Sequence, residues 1–253
     1  MSSALVDRLP IRVVHLGIGA FFRAFGLPRL EELNAALPRI QDRYAVVGVS
    51  FRSTAIRDAL APQNFLYNAI ERRPDVDVPR QITCLVDVCY AGEDRERILA
   101  HMSAPEVSLI SLTITEKGYC HINGQLDASN PDILHDIENP TTPITALGFI
   151  VAALARRRAT GTAPFTCLSC DNLADNGRLL ARVVSGLAAL TDPELAVWIQ
   201  TKVCFPVTMV DRIVPATTDD DRFDVAKLVG FEDQAPVIHE PFWQWVIEDD
   251  FGP

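Results

Sequence analysis

Apolar and polar positions alternate along this chain in a way that predicts strands and helices in turn. Val13, Val14, Leu16 and Ile18 form a short apolar run, the pattern of a central parallel strand. Residues 24–37 then carry Leu27, Leu30, Leu33 and Leu37 at helical spacing, and Pro38 ends that helix. A second apolar run at 44–50 completes a strand–helix–strand unit, whose crossover sets the two strands parallel. Further on, 54–60 predicts a helix. The stretches 65–71 and 82–89 predict strands, joined as a hairpin around Arg72-Arg73-Pro74-Asp75. A short helix at 93–102 precedes another central strand at 107–114, which runs into a polar loop at 115–119. Residues 121–142 are rich in Asn, Asp and Pro and predict a long surface loop. A helix at 144–158 closes on Arg156-Arg157-Arg158, which suits its carboxyl end. A strand at 165–169 and helices at 175–190 and 193–202 follow. Asp211-Arg212 interrupts an apolar run at 205–217, as a structural ion pair or as part of a site. The stretch 236–251 is apolar and aromatic. The order of elements predicts an α/β protein with a doubly wound, mostly parallel sheet of Rossmann type.

Composition narrows the function classes. A chain of 253 residues with 48% hydrophobic content has ample core for a globular unit. A net charge of −10 argues against a nucleic-acid binder, which needs a basic face. The first ten residues lack the apolar centre of a signal peptide and no apolar run has membrane-spanning length, so a cytoplasmic protein without membrane association is expected. The six cysteines, with Cys167 and Cys170 in a C-x-x-C at the end of a strand, read as buried structural thiols, and no metal site is expected.

Candidate chemistry gathers at the strand ends. Gly17 and Gly19 form a G-x-G after the first strand, the spacing that lets a backbone approach a pyrophosphate. Phe22 stands where a full fingerprint wants glycine or alanine, so on spacing alone an ordinary tight turn is an equal reading. The second strand ends in Ser50-Phe51-Arg52, where such domains usually place a ribose-binding carboxylate. Arg52 suits a 2′-phosphate, a stack on adenine, or a solvated surface charge. The strand at 165–169 delivers Cys170, Asp171 and Asn172 together at its carboxyl end.

Five of these stretches, in order, resemble the polyol-specific long-chain dehydrogenase/reductase family, which includes mannitol 2-dehydrogenase and fructuronate reductase. They are His15-Leu16-Gly17-Ile18-Gly19-Ala20-Phe21-Phe22-Arg23-Ala24, Thr113 through Tyr119, Leu168-Ser169-Cys170-Asp171-Asn172-Leu173, Met209 through Thr217, and Glu240 through Asp249. The resemblance implies that residues 1–253 are an amino-terminal Rossmann-type domain binding NAD. It assigns Gly17, Ile18, Gly19, Ala20, Phe21, Phe22, Arg23, Ser50, Arg52, Thr115 and Glu116 to the cofactor. It gives Asn172 the role of holding the reacting oxygen, against the plain reading of a helix cap. It makes Asp211 the residue that orients a catalytic histidine, against a plain pairing with Arg212 or Arg23. The family's catalytic lysine, with a neighbouring Asn and His, lies on a helical second domain. That domain is expected to begin where this sequence stops, and Lys117, Lys202 and Lys227 do not match the lysine motif. Phe22 and Phe25 replace two histidines of the family's turn. The implied reaction moves a hydride between nicotinamide and a secondary alcohol of an open-chain polyol or sugar acid. NAD is the family's commoner cofactor, NADP remaining open. The rival readings are an isolated nucleotide-binding or interaction module, as monomer or weak dimer, and a methyltransferase, which wants an acid at the second strand.

Overall fold

A computed structural model describes residues 9–252. The first half of the chain runs β1 (Ile11–Leu16), α1 (Ala20–Ala24), α2 (Gly26–Ala36), β2 (Ala45–Ser50), α3 (Ala55–Leu60), β3 (Tyr67–Arg72), β4 (Asp77–Ile82), β5 (Leu85–Tyr90), α4 (Arg95–Ser103) and β6 (Leu109–Leu112). The second half begins with a helical turn α5 (Thr115–Gly118), a minimal hairpin β7 (His121–Ile122) and β8 (Gln125–Leu126), and α6 (Pro131–Glu138). It continues through α7 (Ala146–Thr160), β9 (Thr166–Ser169), α8 (Asn176–Thr191) and α9 (Pro193–Lys202). It closes with β10 (Thr208–Asp211), α10 (Asp219–Val229), β11 (Val237–His239) and β12 (Gln244–Ile247).

Five strands make the central sheet in the order β5-β2-β1-β6-β9, and all four pairings are parallel. The chain winds outward from β1 through β2 to β5, then returns to the other side of β1 for β6 and β9. That reversal puts a crevice at the carboxyl ends of β1 and β6, where doubly wound sheets bind ligands. Strand alternation divides the core in two. Val14, Leu16, Val47, Val49, Ile110 and Leu112 face α4, α7 and α8. Val13, Val46 and Leu168 face the opposite layer with Phe22, Phe25, Leu27 and Val237. Each such side chain, fully buried, contributes about 1.5–3 kcal/mol. A second sheet, β11-β3-β4, and the antiparallel pair β10-β12 flank the central one. No helix among the described residues is long and apolar enough to cross a membrane.

The element order follows the periodicity, with local differences. The hairpin partner of β3 is β4 at 77–82, not 82–89. The chain breaks at Thr83-Cys84, where the Glu31 carboxylate of α2 accepts both backbone N–H groups, and β5 departs to pair parallel with β2. The expected loop at 121–142 holds the β7–β8 hairpin and α6, which Asn130 caps by accepting the N–H of Asp132. The expected helix at 24–37 is α2, and a short helix α1 precedes it, with Phe25 turning the chain between them. The polar loop at 115–119 winds into α5. Helix α10 was not expected; a reciprocal Thr218–Asp221 capping box opens it and Gly230 closes it.

Candidate functional site

The site begins at the turn after β1. Gly17 and Ile18 donate their N–H groups to the Val49 carbonyl of β2, at 2.8 and 3.0 Å, which folds the turn over the crevice. Gly17 has φ +95°, and a Cβ there would lie 2.1 Å from the Thr113 carbonyl oxygen, so only glycine fits. Gly19 is the opposite case. Its φ of −89° suits any residue, and a Cβ there meets nothing closer than the Gly17 oxygen at 3.8 Å. The space over Gly19 is therefore open. At the head of α1 the N–H groups of Ala20 and Phe21 lack partners within the helix, and among the described residues no other acceptor takes them.

A cleft of about 480 Å³ lies at this turn, floored by Gly17, Ile18 and Gly19. Ser50, Phe51 and Arg52 from the end of β2 form one wall, and the segment Thr113–Thr115 at the end of β6 forms another. Of the residues expected at a cofactor, Gly17, Ile18, Gly19, Ser50, Arg52 and Thr115 line this cleft. Ala20 and Phe21 are half-buried beside it, and Glu116 is exposed just past Thr115. The side chains of Phe22 and Arg23 are not in the cleft wall. Phe22 lies flat on the His15 ring, with centroids 3.4 Å apart, and Arg23 is buried, its Nη1 donating to the Ala235 carbonyl at 2.6 Å. Lys117, Cys120, Asp132 and Thr145 also reach the cleft. Asp132 was hidden from sequence reading because 121–142 lacked a periodic signal, though the Asn130-Pro131 helix start was there to find, and Thr145, the N-cap of α7, was not singled out within the helix expected at 144–158.

Beneath the turn, His15 organises a directed chain of hydrogen bonds. Thr113 Oγ1 donates to the Gly17 carbonyl at 2.8 Å, so its oxygen accepts from His15 Nε2–H at 2.9 Å. His15 Nδ1 then accepts the Ser111 hydroxyl at 2.8 Å. The Thr113 bond places a proton on Nε2, and in the neutral ring Nδ1 is then the acceptor. Burial enforces the same state, pushing the imidazole down to about 3.

Asn172 stands exposed just past the end of β9 and makes no side-chain hydrogen bond among the described residues. It does not cap α8, whose N-cap is Asp175. The amide with a structural role is the buried Asn176. It donates to the Asp171 carbonyl and Thr208 Oγ1 and accepts from the Thr208 N–H. Asp211 is exposed at the end of β10, opposite Gln244 of β12. The buried Asp–Arg pair considered from sequence does not form. Arg212 alone is buried, and it donates to the Ala24 carbonyl at 2.6 Å and the Phe242 carbonyl at 3.2 Å, while Asp211 pairs with neither Arg212 nor Arg23. Neither Asn172 nor Asp211 lines the cleft itself.

The cysteines are free thiols, and burial pushes Cys167 and Cys170 well above the usual thiol range. Asp87, Cys89 and His101 bring ligand-type atoms within 4.8 Å of one another. A guanidinium already sits among them, Arg97 pairing with Asp87 at 2.6 Å and donating to Cys89 Sγ at 3.2 Å.

Comparison with known proteins adds to this geometry. The family model described as the mannitol dehydrogenase Rossmann domain matches residues 11–252. Mannitol 2-dehydrogenase of Aspergillus terreus is 41% identical over 246 residues, covering 95% of this chain and 49% of the relative. D-mannonate oxidoreductase of Escherichia coli is 41% identical over 251 residues, covering 97% of this chain and 51% of the relative. The solved ternary complex of Pseudomonas fluorescens mannitol 2-dehydrogenase with NAD and D-mannitol superposes with a TM-score of 0.92 at 37% identity, over 98% of this chain and 51% of that one. The chain thus spans about half the length of the relatives it matches.

Proposed function

Because this chain belongs to the mannitol dehydrogenase family, as its Rossmann domain, we propose that its cleft binds NAD for hydride exchange with a secondary alcohol of an open-chain polyol or sugar acid. The observation that carries this reading is the contrast between the two glycines. Gly17 is required by the fold, while the space over Gly19 serves no packing and suits a diphosphate. The unpartnered N–H groups of Ala20 and Phe21 beside it suit anionic oxygens. NAD supplies the hydride acceptor, and the protein supplies binding, orientation and proton management.

In this reading the turn from Gly17 to Phe21 cradles the pyrophosphate. Ser50, Phe51 and Arg52 receive the adenosine half, over the β2 side of the switch point, and Thr115 and Glu116 flank the nicotinamide half. Asn172, unengaged at the end of β9, directs its amide N–H at the reacting oxygen. A comparable donor in an oxyanion site is worth roughly 3–4 kcal/mol. Asp211, free of both neighbouring arginines, orients a histidine. Lys117, Lys202 and Lys227 do not match the family's lysine motif, so the proton acceptor is assigned to the half of the relatives' length that this chain does not span.

The test is an equilibrium titration of the chain with NADH, comparing wild type with Gly19→Ala and Gly19→Val. Backbone geometry at Gly19 tolerates both, so thermal stability stays within about 0.5 kcal/mol of wild type. Affinity falls by about tenfold for alanine and further for valine, as a side chain enters the diphosphate space. Unchanged affinity in both variants, or no NADH binding by wild type, overturns the assignment.

A further inference from the structure

The end of β9 carries a carboxylate for which the reading above has no role. Asp171 precedes Asn172, and its two oxygens take three donors from the opposite wall of the cleft. Oδ2 accepts the Ile114 N–H at 3.0 Å and the Tyr119 hydroxyl at 2.9 Å, and Oδ1 accepts the Thr115 N–H at 2.9 Å. The hydroxyl of Tyr119 has one proton, and it goes to the carboxylate. Ser169 Oγ, 2.5 Å away, is therefore the donor to Tyr119. Burial raises the Asp171 carboxyl above the usual carboxylate range, and the two backbone N–H groups and the Tyr119 hydroxyl oppose that shift by stabilising the charged form. Tyr119 is fully buried, and burial keeps its phenol protonated as a donor.

The backbone that this cluster holds is strained. Thr115 is β-branched yet sits at φ +64°, a conformation that costs about 1–3 kcal/mol and persists only when its surroundings impose it. Its N–H is one of the three bonds to Asp171. The segment so held, Thr113 to Gly118, forms the cleft wall on the β6 side, which in a doubly wound sheet belongs to the second mononucleotide.

We propose that Asp171 is a positioning residue for the nicotinamide half of the cofactor: its carboxylate, steadied by Tyr119, ties the Ile114–Thr115 wall to the end of β9 and so sets the distance between that wall and Asn172. The proposal rests on the NAD reading above. It differs from a purely structural role in its selectivity, because the adenosine half lies over β2, away from this tie.

The experiment compares wild type, Asp171→Asn and Tyr119→Phe in the full 253-residue chain, using NADH and AMP as separate probes in calorimetric titrations. Asp171→Asn places an amide N–H₂ against backbone donors, and Tyr119→Phe deletes one hydroxyl with little demand on the fold. NADH affinity is expected to fall about tenfold in the first and about threefold in the second, with AMP affinity within about twofold of wild type. If Asp171→Asn fails to fold, the Tyr119→Phe ratio decides. Equal loss of both probes would reduce the cluster to fold stability and overturn the proposal, as would unchanged NADH affinity in both variants. A wild-type chain that binds neither probe defeats the cofactor assignment itself, and this proposal with it. Wild-type binding of both, with the ratio unmoved by the variants, removes only the role of Asp171.

Discussion

The buried imidazole of His15 braces the glycine turn through Thr113 and is expected to contribute to the protein's response to acid. His15 is neutral in the folded state, with both ring nitrogens engaged and Phe22 stacked on its face. The unfolded chain protonates it near pH 6.5, the folded chain only near pH 3. Between these values the unfolded state binds more protons, so stability is lost as pH falls. The loss approaches roughly 5 kcal/mol at the acid end of the window. Urea unfolding between pH 7 and 3.5 is therefore expected to give a steeper acid decline for wild type than for His15→Gln. The variant starts from a lower value at neutral pH, having lost the ring stack. Parallel declines in the two proteins would show that other groups control the acid limb.

At the scale of elements, one arginine joins three of them. Arg157, in the last turn of α7, is buried and donates to the carbonyls of Met102, Ala104, Val107 and Ala163, fastening α4 and the entry to β6 to its own helix end. Its neighbours Arg156 and Arg158 pair at the surface with Glu96 and with Asp192 and Glu194. Arg157→Met removes a donor from all four carbonyls, of which Ala104 keeps the Val107 N–H, and is expected to cost about 3–5 kcal/mol, lowering Tm by roughly 10 °C. Arg157→Lys restores the charge without the planar fork, and recovers at most about half. Calorimetry on the two variants checks both values. The sequence placed three arginines at a helix end but gave no sign that the middle one turns inward. The same holds elsewhere. Whereas β5, with Asp87 inside it, reads as the hairpin partner of β3, the other four strands of the central sheet, β1, β2, β6 and β9, were legible because burial on both faces leaves short apolar runs. The break between β4 and β5 was not, because the residue that imposes it, Glu31, is some fifty positions away along the chain. Helix α10 starts with three aspartates and shows more of a polar surface than a period. Within the site, the glycine turn and the end of β2 could be read directly, since they depend on local backbone demands. That Asn176 and not Asn172 binds the surrounding backbone could not, because both are amides at one strand end and only packing tells them apart.

For the whole molecule, a net charge of −10 surrounds the cleft proposed above to take an anionic dinucleotide. The binding groups proposed there are mainly backbone dipoles, which act at short range and release few counterions. Raising NaCl from about 20 to about 200 mM is therefore expected to leave NADH affinity within about twofold or raise it slightly, as long-range repulsion is screened. Isothermal titration across that range tests this. A tenfold fall would mean that basic side chains such as Arg52 carry the binding. Distant parts of the chain also meet at the helix that follows the glycine turn. Arg23 reaches the carbonyl of Ala235 and Arg212 reaches that of Ala24, so α1 is fastened from both sides by residues about two hundred positions downstream. Contacts of such sequence separation are the slowest to form. The helix that follows the glycine turn is therefore expected to consolidate late in folding, after the turn itself has met β2. Refolding followed at Trp245, which packs on Phe25, is expected to report this late step as the slowest phase.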